Sequence, residues 1–567
     1  MGIYSMRNNF SKYGKPLLYA IAFIFVAGIV LQFGGFNKNP NKHKTGSEVV
    51  IAEVNGNKIT QDEFNQLYML TDRVFENPER FGVFLPQNMY GVVSQFMQTG
   101  KPSSPLQHAD LRSAVFSNLV QNRLMQVGAA GMGVKIDDKE IKKAVEEKIT
   151  DYLKAQRRQL VTVDEKREKI DPRKDKEYIN RLKEINFPIK AQEEFARNSI
   201  IISDVAAGLA FKGVEEKILD GMKEITDKDV MDSFNTYSYR QVVFLKPPNT
   251  PEEQIKNKAK KFVEEVKAGG DFAALAKSAT KDLPFQQEGE LQQASFPIYM
   301  KELSDALTTM KPGEVSDIIE TENGIYVVKL ESVAQTLPEK FDDKAKKERR
   351  EEIKNFRKQS ELMKFYETLR DNQNVVVKNK EFNGYWLINQ SMMARDAKER
   401  EDKLKNAAAA FKQAITEDPD NLFAVAKLAQ LRSNEGNHKE VIDLLLPILE
   451  GDNPRAEGAD LRMLLGEAFE KTGKLDEAIE QFMIASDMAR YDSNIHHQLL
   501  EKFKALNKPE LVAKEELWIK NFNERIAEIQ KQQQEAEARK NARSEKKDKN
   551  EKPAENKPSE APADTNQ

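Results

Sequence analysis

Chemistry in this 567-residue chain has few side chains to work with. There is no cysteine, which excludes thiol nucleophiles, disulfides and cysteine-ligated metals. The five histidines are His43, His108, His438, His496 and His497, so the whole central stretch between residues 109 and 437 lacks imidazole. Neither a phosphate-cradling Gly-rich loop nor a clustered His/Asp/Glu pattern occurs. No catalytic residue, metal ligand or cofactor is therefore assigned. The net charge of −3 argues against a general nucleic-acid binder. Charged residues make up 32 % of the chain and apolar ones 39 %, a balance that suits long solvated helices more than one large core. At this length several domains are expected.

The stretch most able to form a pocket is Tyr239 to Glu331. It opens with the β-type run Tyr239 to Phe244, stopped by Pro247-Pro248. A helix with Ile255, Ala259, Phe262, Val263 and Val266 on one face follows, and Gly269-Gly270 ends it. Asp271 to Ala276 starts a second helix. Gly289-Glu290-Leu291, a short helix with Leu303 and Leu307, and Pro312-Gly313-Glu314-Val315-Ser316 come next. An Asn323-Gly324 turn signal leads into the closing strand Ile325 to Leu330.

These motifs together resemble a parvulin-type peptidyl-prolyl isomerase domain. The family carries one histidine on the first strand and one on the last; here those positions read Gln241 and Tyr326. The family's apolar pocket positions fall on Tyr299 and Leu303. Turning an X–Pro bond means crossing a barrier of about 18–20 kcal/mol. An amide and a phenol can donate and accept hydrogen bonds, but they do not titrate near neutral pH as imidazole does. The resemblance thus implies a degenerate isomerase pocket of Gln241, Tyr299, Leu303 and Tyr326 that holds peptide without catalysing. The bland alternative makes all four ordinary core or surface groups.

The elements around this module follow in order. Leu17 to Phe33 is an uncharged apolar run at the short end of a membrane-spanning helix. No small-x-small site follows it, so an uncleaved anchor over residues 17–36, after a flank at 1–16, is preferred to a signal peptide. Lysines on both sides leave orientation open. Val49 to Val54, the Asn55-Gly56 turn and the capping box Thr60-x-x-Glu63 resemble the opening of the SurA/PpiD-type chaperone domain. Further matches are Leu119 to Met125 leading into Gly133 to Ile136, and Ile225 to Val230. Lys154 to Arg197 is so charged that a projecting helix with little core is expected. Phe341 to Leu369 reads as a helix, and the resemblance implies that it packs back onto the N-terminal lobe. Met69, Met89, Met97, Met125 and Met132 lie in that lobe; they are either core or the lining of an adaptable cradle.

Ala407, Phe411, Ala414 and Pro419, and then Leu465, Gly466, Phe469, Ala478, Phe482 and Ala485, have the spacing of tetratricopeptide repeats. Met393 to Lys405 is placed in the lead helix of the first pair. Stacked repeats present a concave surface suited to a peptide or helix. From Lys531 to Gln567 no Val, Ile, Leu, Met or aromatic residue occurs, so a disordered tail is expected.

The expected protein is multidomain and mainly α: a transmembrane helix, a chaperone lobe over 47–236, an inserted α/β parvulin-like module over 237–333, a returning helix over 334–380, an α-solenoid of repeats over 395–525 and a tail over 531–567. The resemblance implies a single-pass inner-membrane protein whose bulk is periplasmic, with unfolded exported polypeptides as clients. It also implies the protein-export channel as a partner and a protein or peptide ligand for the repeats. An active isomerase using other groups, and a scaffold acting through its repeats, are the alternatives.

Overall fold

The computed structural model describes residues 49–550 except 100, 246–250, 284–285, 322–323, 372, 395, 452 and 491. A hairpin opens it. Strands β1 (Val50–Val54) and β2 (Asn57–Thr60) turn at Asn55 and Gly56, both at positive φ, as an Asn-Gly hairpin requires. Thr60 and Glu63 then form the reciprocal capping box that starts helix α1 (Gln61–Glu76). Its apolar side, Phe64, Leu67 and Leu70, is buried. After α2 (Tyr90–Thr99) comes the lobe's central element, α3 (Pro105–Gly131). It packs against α7 (Ile202–Gly221), with α4 (Asp138–Leu160), α5 (Lys176–Glu184) and α6 (Ile189–Ser199) at one side.

The charged segment after Lys154 does not project. Val161, Tyr178 and Leu182 form their own small core. Arg157 is fully buried there; its Nη1 donates to the Ile170 carbonyl (2.7 Å) and lies 3.7 Å from Asp175. A buried cation needs such partners, and they fold the segment back on α4.

After α8 (Asp227–Asp232), the inserted module is a four-stranded antiparallel sheet in the order β4-β3-β6-β5. Its strands are β3 (Asn235–Phe244), β4 (Leu291–Ser295), β5 (Ile319–Thr321) and β6 (Gly324–Gln335). Helices α9 (Glu252–Lys267) and α10 (Phe272–Ala279) cover one face, burying Val242, Phe244, Phe262, Phe272 and Val327. Helix α11 (Lys301–Thr309) covers part of the other. The long helix α12 (Asp343–Asp371) then returns. Leu362 and Phe365 pack with Ala129 of α3 and with Ala210 and Val214 of α7, and strand β7 (Val375–Val377) pairs with β1.

Four helix pairs complete the described chain: α13 (Lys380–Met392) with α14 (Ala397–Glu417), α15 (Leu422–Asn434) with α16 (His438–Leu449), α17 (Ala459–Lys471) with α18 (Leu475–Met488), and α19 (Ser493–Ala505) with α20 (Pro509–Asn550). Two readings change here. The lead helix of the first pair is α13, and Ala397 to Lys405 belongs to the second. Lys531 to Asn550, expected as tail, continues α20. Its Ala, Glu, Lys, Arg and Gln residues are good helix formers, and extending an existing helix carries no nucleation cost.

The expected anchor is corrected. Among the described residues no helix is long and apolar enough to cross a membrane, because the longest ones carry charges along their length. A transmembrane helix is therefore no part of the described fold, and the single-pass inner-membrane location that rested on it is not supported. Leu17 to Phe33 lies outside the described residues.

Candidate functional site

In the inserted module, the register pairs Gln241 with Val328 and Val243 with Tyr326. Side chains alternate across a sheet, so these four share the face opposite α9 and α10. Gln241 and Tyr326 are thus diagonal neighbours, about 7–8 Å apart at the backbone. Both are half-buried, and neither makes a side-chain hydrogen bond among the described residues. Tyr239 stands on the same patch. Burial pushes its phenol above the usual tyrosine range, and the nearby Tyr326 adds to this. Leu303 is buried against Tyr237, Tyr239, Leu307 and Val328. Tyr299 turns away, 85 % exposed, with its ring edge-on to Phe356 of α12 (5.9 Å). The four predicted residues are therefore not gathered into one cavity, and no imidazole stands among them.

The larger concavity lies in the lobe. A cleft of about 1000 Å³ opens between α3, α7, α12 and α13. Its apolar lining comes from Leu124 and Met125 of α3, Phe211 of α7, Tyr366 and Leu369 of α12, and Trp386 and Met392 of α13, with Met393 at the rim. Met392 is 76 % exposed and Met393 62 %, so two flexible thioethers of the cleft face solvent. Amides ring it: Gln87, Gln121, Asn122, Gln373, Asn389 and Gln390. Of the five methionines singled out in the sequence, only Met125 lines this cleft. Met89 is core, while Met69, Met97 and Met132 are exposed elsewhere. Trp386 and the Met392-Met393 pair were missed. They fall where a returning helix gives way to repeats, and no periodicity ties them to Leu124 and Met125 of α3, far earlier in the chain.

The repeats also hold the lobe. Ala407, Phe411, Ala414, Leu465, Gly466, Phe469, Ala478, Phe482 and Ala485 are all buried between paired helices. Gly466 lets α17 approach so closely that a Cβ there would lie 2.6 Å from the Phe482 ring. The array's inner face is not vacant where its first helices stand: α13 and α15 pack on α3. Arg112 of α3 reaches Glu381 of α13 through Nε (2.6 Å) and Nη2 (3.1 Å). Tyr385 donates to the same carboxylate (2.9 Å), as does Asn421 (3.0 Å). The guanidinium lies over Phe64, Tyr68, Phe382 and Phe423, within 4.6–5.7 Å of each ring centre. Burial opposes its charge, and Glu381 more than offsets that, so Arg112 stays above its ordinary value. Among the described residues no group of three or more His, Asp or Glu side chains is arranged to hold a metal.

The fold defines a class: a helical lobe built from two separated chain segments, with a parvulin-type module inserted and tetratricopeptide repeats attached. Residues 242–332 match the PPIC-type PPIase domain, and residues 401–482 match the tetratricopeptide repeat. Chaperone SurA of Cupriavidus pinatubonensis is 31 % identical over 115 residues, 20 % of this chain and 23 % of that protein. The chain thus spans about a quarter of that relative. Foldase protein PrsA of Clostridium botulinum is 23 % identical over 326 residues, 55 % of this chain and 83 % of PrsA. A crystal structure of PrsA from Bacillus anthracis matches at 19 % identity and a TM-score of 0.21, covering 43 % of this chain and 96 % of the other. The chain is a relative of the SurA and PrsA proteins that carries a parvulin domain and C-terminal tetratricopeptide repeats.

Proposed function

We propose that this protein is a folding factor that holds unfolded polypeptide in the cleft between α3, α7, α12 and α13, and that its parvulin module does not catalyse prolyl isomerisation. The lobe cleft carries the reading. Methionine and aromatic side chains adapt to varied apolar residues, and the surrounding amides can pair with backbone of any sequence. The likeness to chaperone SurA and foldase PrsA supports it. Against catalysis stand Gln241 and Tyr326 and the separation of Tyr299 from Leu303.

The test uses the purified full chain with a chemically unfolded client. Aggregation should be suppressed by the parent protein and several-fold less by Met393→Glu or Trp386→Ala. Suppression unchanged in both variants would defeat the reading. Uncatalysed isomerisation takes about 10–100 s at 25 °C, so a proline-limited refolding assay reads any catalysis directly. No acceleration beyond about twofold is expected; a large one abolished by Tyr326→Ala would make the module an enzyme.

A further inference from the structure

A pocket of about 250 Å³ lies where the charged segment that folds back on α4 meets the turn after α1. Arg80 enters it from that turn, Gln156 and Leu160 from the end of α4, and Ile185, Phe187 and Gln192 from the segment itself. None of these residues lines the lobe cleft.

Arg80 is a cation without an anion. Its guanidinium carbon stands 4.4 Å from the Phe195 ring centre, 5.4 Å from that of Phe187 and 5.7 Å from that of Phe81. It forms no ion pair among the described residues. Ring faces attract the charge, but the N–H donors of the planar fork are matched by oxygen acceptors. Gln192 adds a second donor. It is 2 % exposed, and its Oε1 accepts from the Tyr152 hydroxyl (2.7 Å), which leaves Nε2 for the pocket. Nε2 makes no hydrogen bond among the described residues. Buried amides are ordinarily paired at both ends, so this end lacks a partner.

We propose that this pocket is a carboxylate site, taking a monoanion that carries one apolar side group. A guanidinium holds a carboxylate through two parallel N–H···O bonds, and the Gln192 amide supplies a further donor. One unpaired cation balances one negative charge. A phosphate would bring up to about two, with Glu79 already at the rim. Leu160, Ile185 and Phe187 form the apolar wall, and Ile185 is 54 % exposed. Drug-sized sites run from about 300 to 1000 Å³, so this one holds a head group and a single side chain. A free acylated amino acid and the last residue of a polypeptide present the same chemistry. The site stands apart from the lobe cleft and does not depend on what that cleft binds.

The experiment titrates N-acetyl-leucine and its uncharged amide into the full chain by isothermal titration calorimetry. The acid should bind saturably and at least ten-fold more tightly than the amide. Arg80→Gln should abolish the preference. Because Arg80 also packs on three rings, Gln159→Glu supplies a second variant: this exposed residue of the pocket has no side-chain partner among the described residues. It should weaken the acid several-fold, leave the amide unchanged and keep the melting temperature of the parent. Glu79→Gln should tighten the acid. A short peptide ending in leucine, with its terminus free or amidated, separates the two sources. Binding of the free-ended peptide makes chain ends the ligand, and binding of the acid alone makes it a small molecule; both keep the site. Equal affinity for acid and amide, or no saturable binding of either, overturns the proposal. So does acid binding that survives Gln159→Glu and is lost in Met393→Glu, which would put the carboxylate in the lobe cleft.

Discussion

Arg112 and Glu381 show what one pair of residues does here. Their side chains are 15 % and 7 % exposed, so neither charge has water to fall back on. Removing one partner strands the other in a nearly dry site. Glu381→Ala should therefore cost about 3 kcal/mol in urea unfolding, and the loss should shrink when Arg112→Met is added. A few residues away, the Tyr68 hydroxyl meets His108 Nδ1 at 2.7 Å. Burial holds His108 below its ordinary value, with Asp72 opposing and Lys101 and Arg112 reinforcing the effect. The folded chain thus takes up this proton less readily than the unfolded one. Stability from His108 is complete above about pH 6.5 and is lost as pH falls through the lowered value. Burial also pushes Tyr68 up to about 12. That contribution is present below about pH 10 and is lost as pH rises towards 12. Melting temperature against pH should fall at both ends, and His108→Gln should flatten only the acid limb. An unchanged acid limb would remove His108 from the account.

Among the elements, the repeats offer the cleanest test of packing. Ala478 is fully buried where α18 meets its neighbours. Ala478→Arg puts an unpaired charge there and should cost about 4 kcal/mol or more, seen as lost helicity and lower cooperativity on heating. Ala, Gly and Phe at fixed spacing made α17 and α18 legible, because close helix approach admits few side chains. Lead helix α13 was not legible as such. It packs through Phe382, Tyr385 and Gly384, where a Cβ would sit 2.5 Å from Phe411, and only the glycine resembles the small-residue pattern. The module's strands and helices were readable from alternation and turn signals, yet the destination of Tyr299 was not. Its ring faces α12, roughly fifty residues on, and nothing local encodes that contact. The element-level consequence concerns fragments. A piece spanning 395–525 lacks α13 and leaves Ala407 and Phe411 without a cover; one spanning 379–530 supplies it. The longer fragment should melt at least several degrees higher by circular dichroism, and equal melting would argue that α13 is no part of the array.

At the scale of the whole molecule, the repeats and the lobe share one core, whereas the inserted module keeps its own. Phe64, Phe116 and Leu119 of the lobe stand in the same cluster as Phe382, Phe411, Ala424 and Leu428 of the array. The inner face of the array therefore holds α3 of its own chain. Composition could not announce this, since a repeat face made for a foreign helix and one made for a neighbouring α3 use the same residues. The module's two clusters contain no residue of lobe or array. Its entry and exit lie side by side, with Asn235 opposite Gln335 across β3 and β6. Insertions of that kind can be cut out with little strain on what remains. Two deletions should then behave oppositely. Replacing residues 235–336 by a short Gly/Ser link should leave the melting of the lobe and array within a few degrees of the parent. Ending the chain after Lys378 exposes the Phe64 and Phe116 side of the lobe and strands Arg112 without Glu381. That truncation should lower the lobe's unfolding midpoint steeply and turn it to aggregation. Were the truncated lobe as stable as the parent and the module deletion the damaging one, the shared core would be a contact without energetic weight, and the repeats would be a tethered appendage rather than a wall of the site.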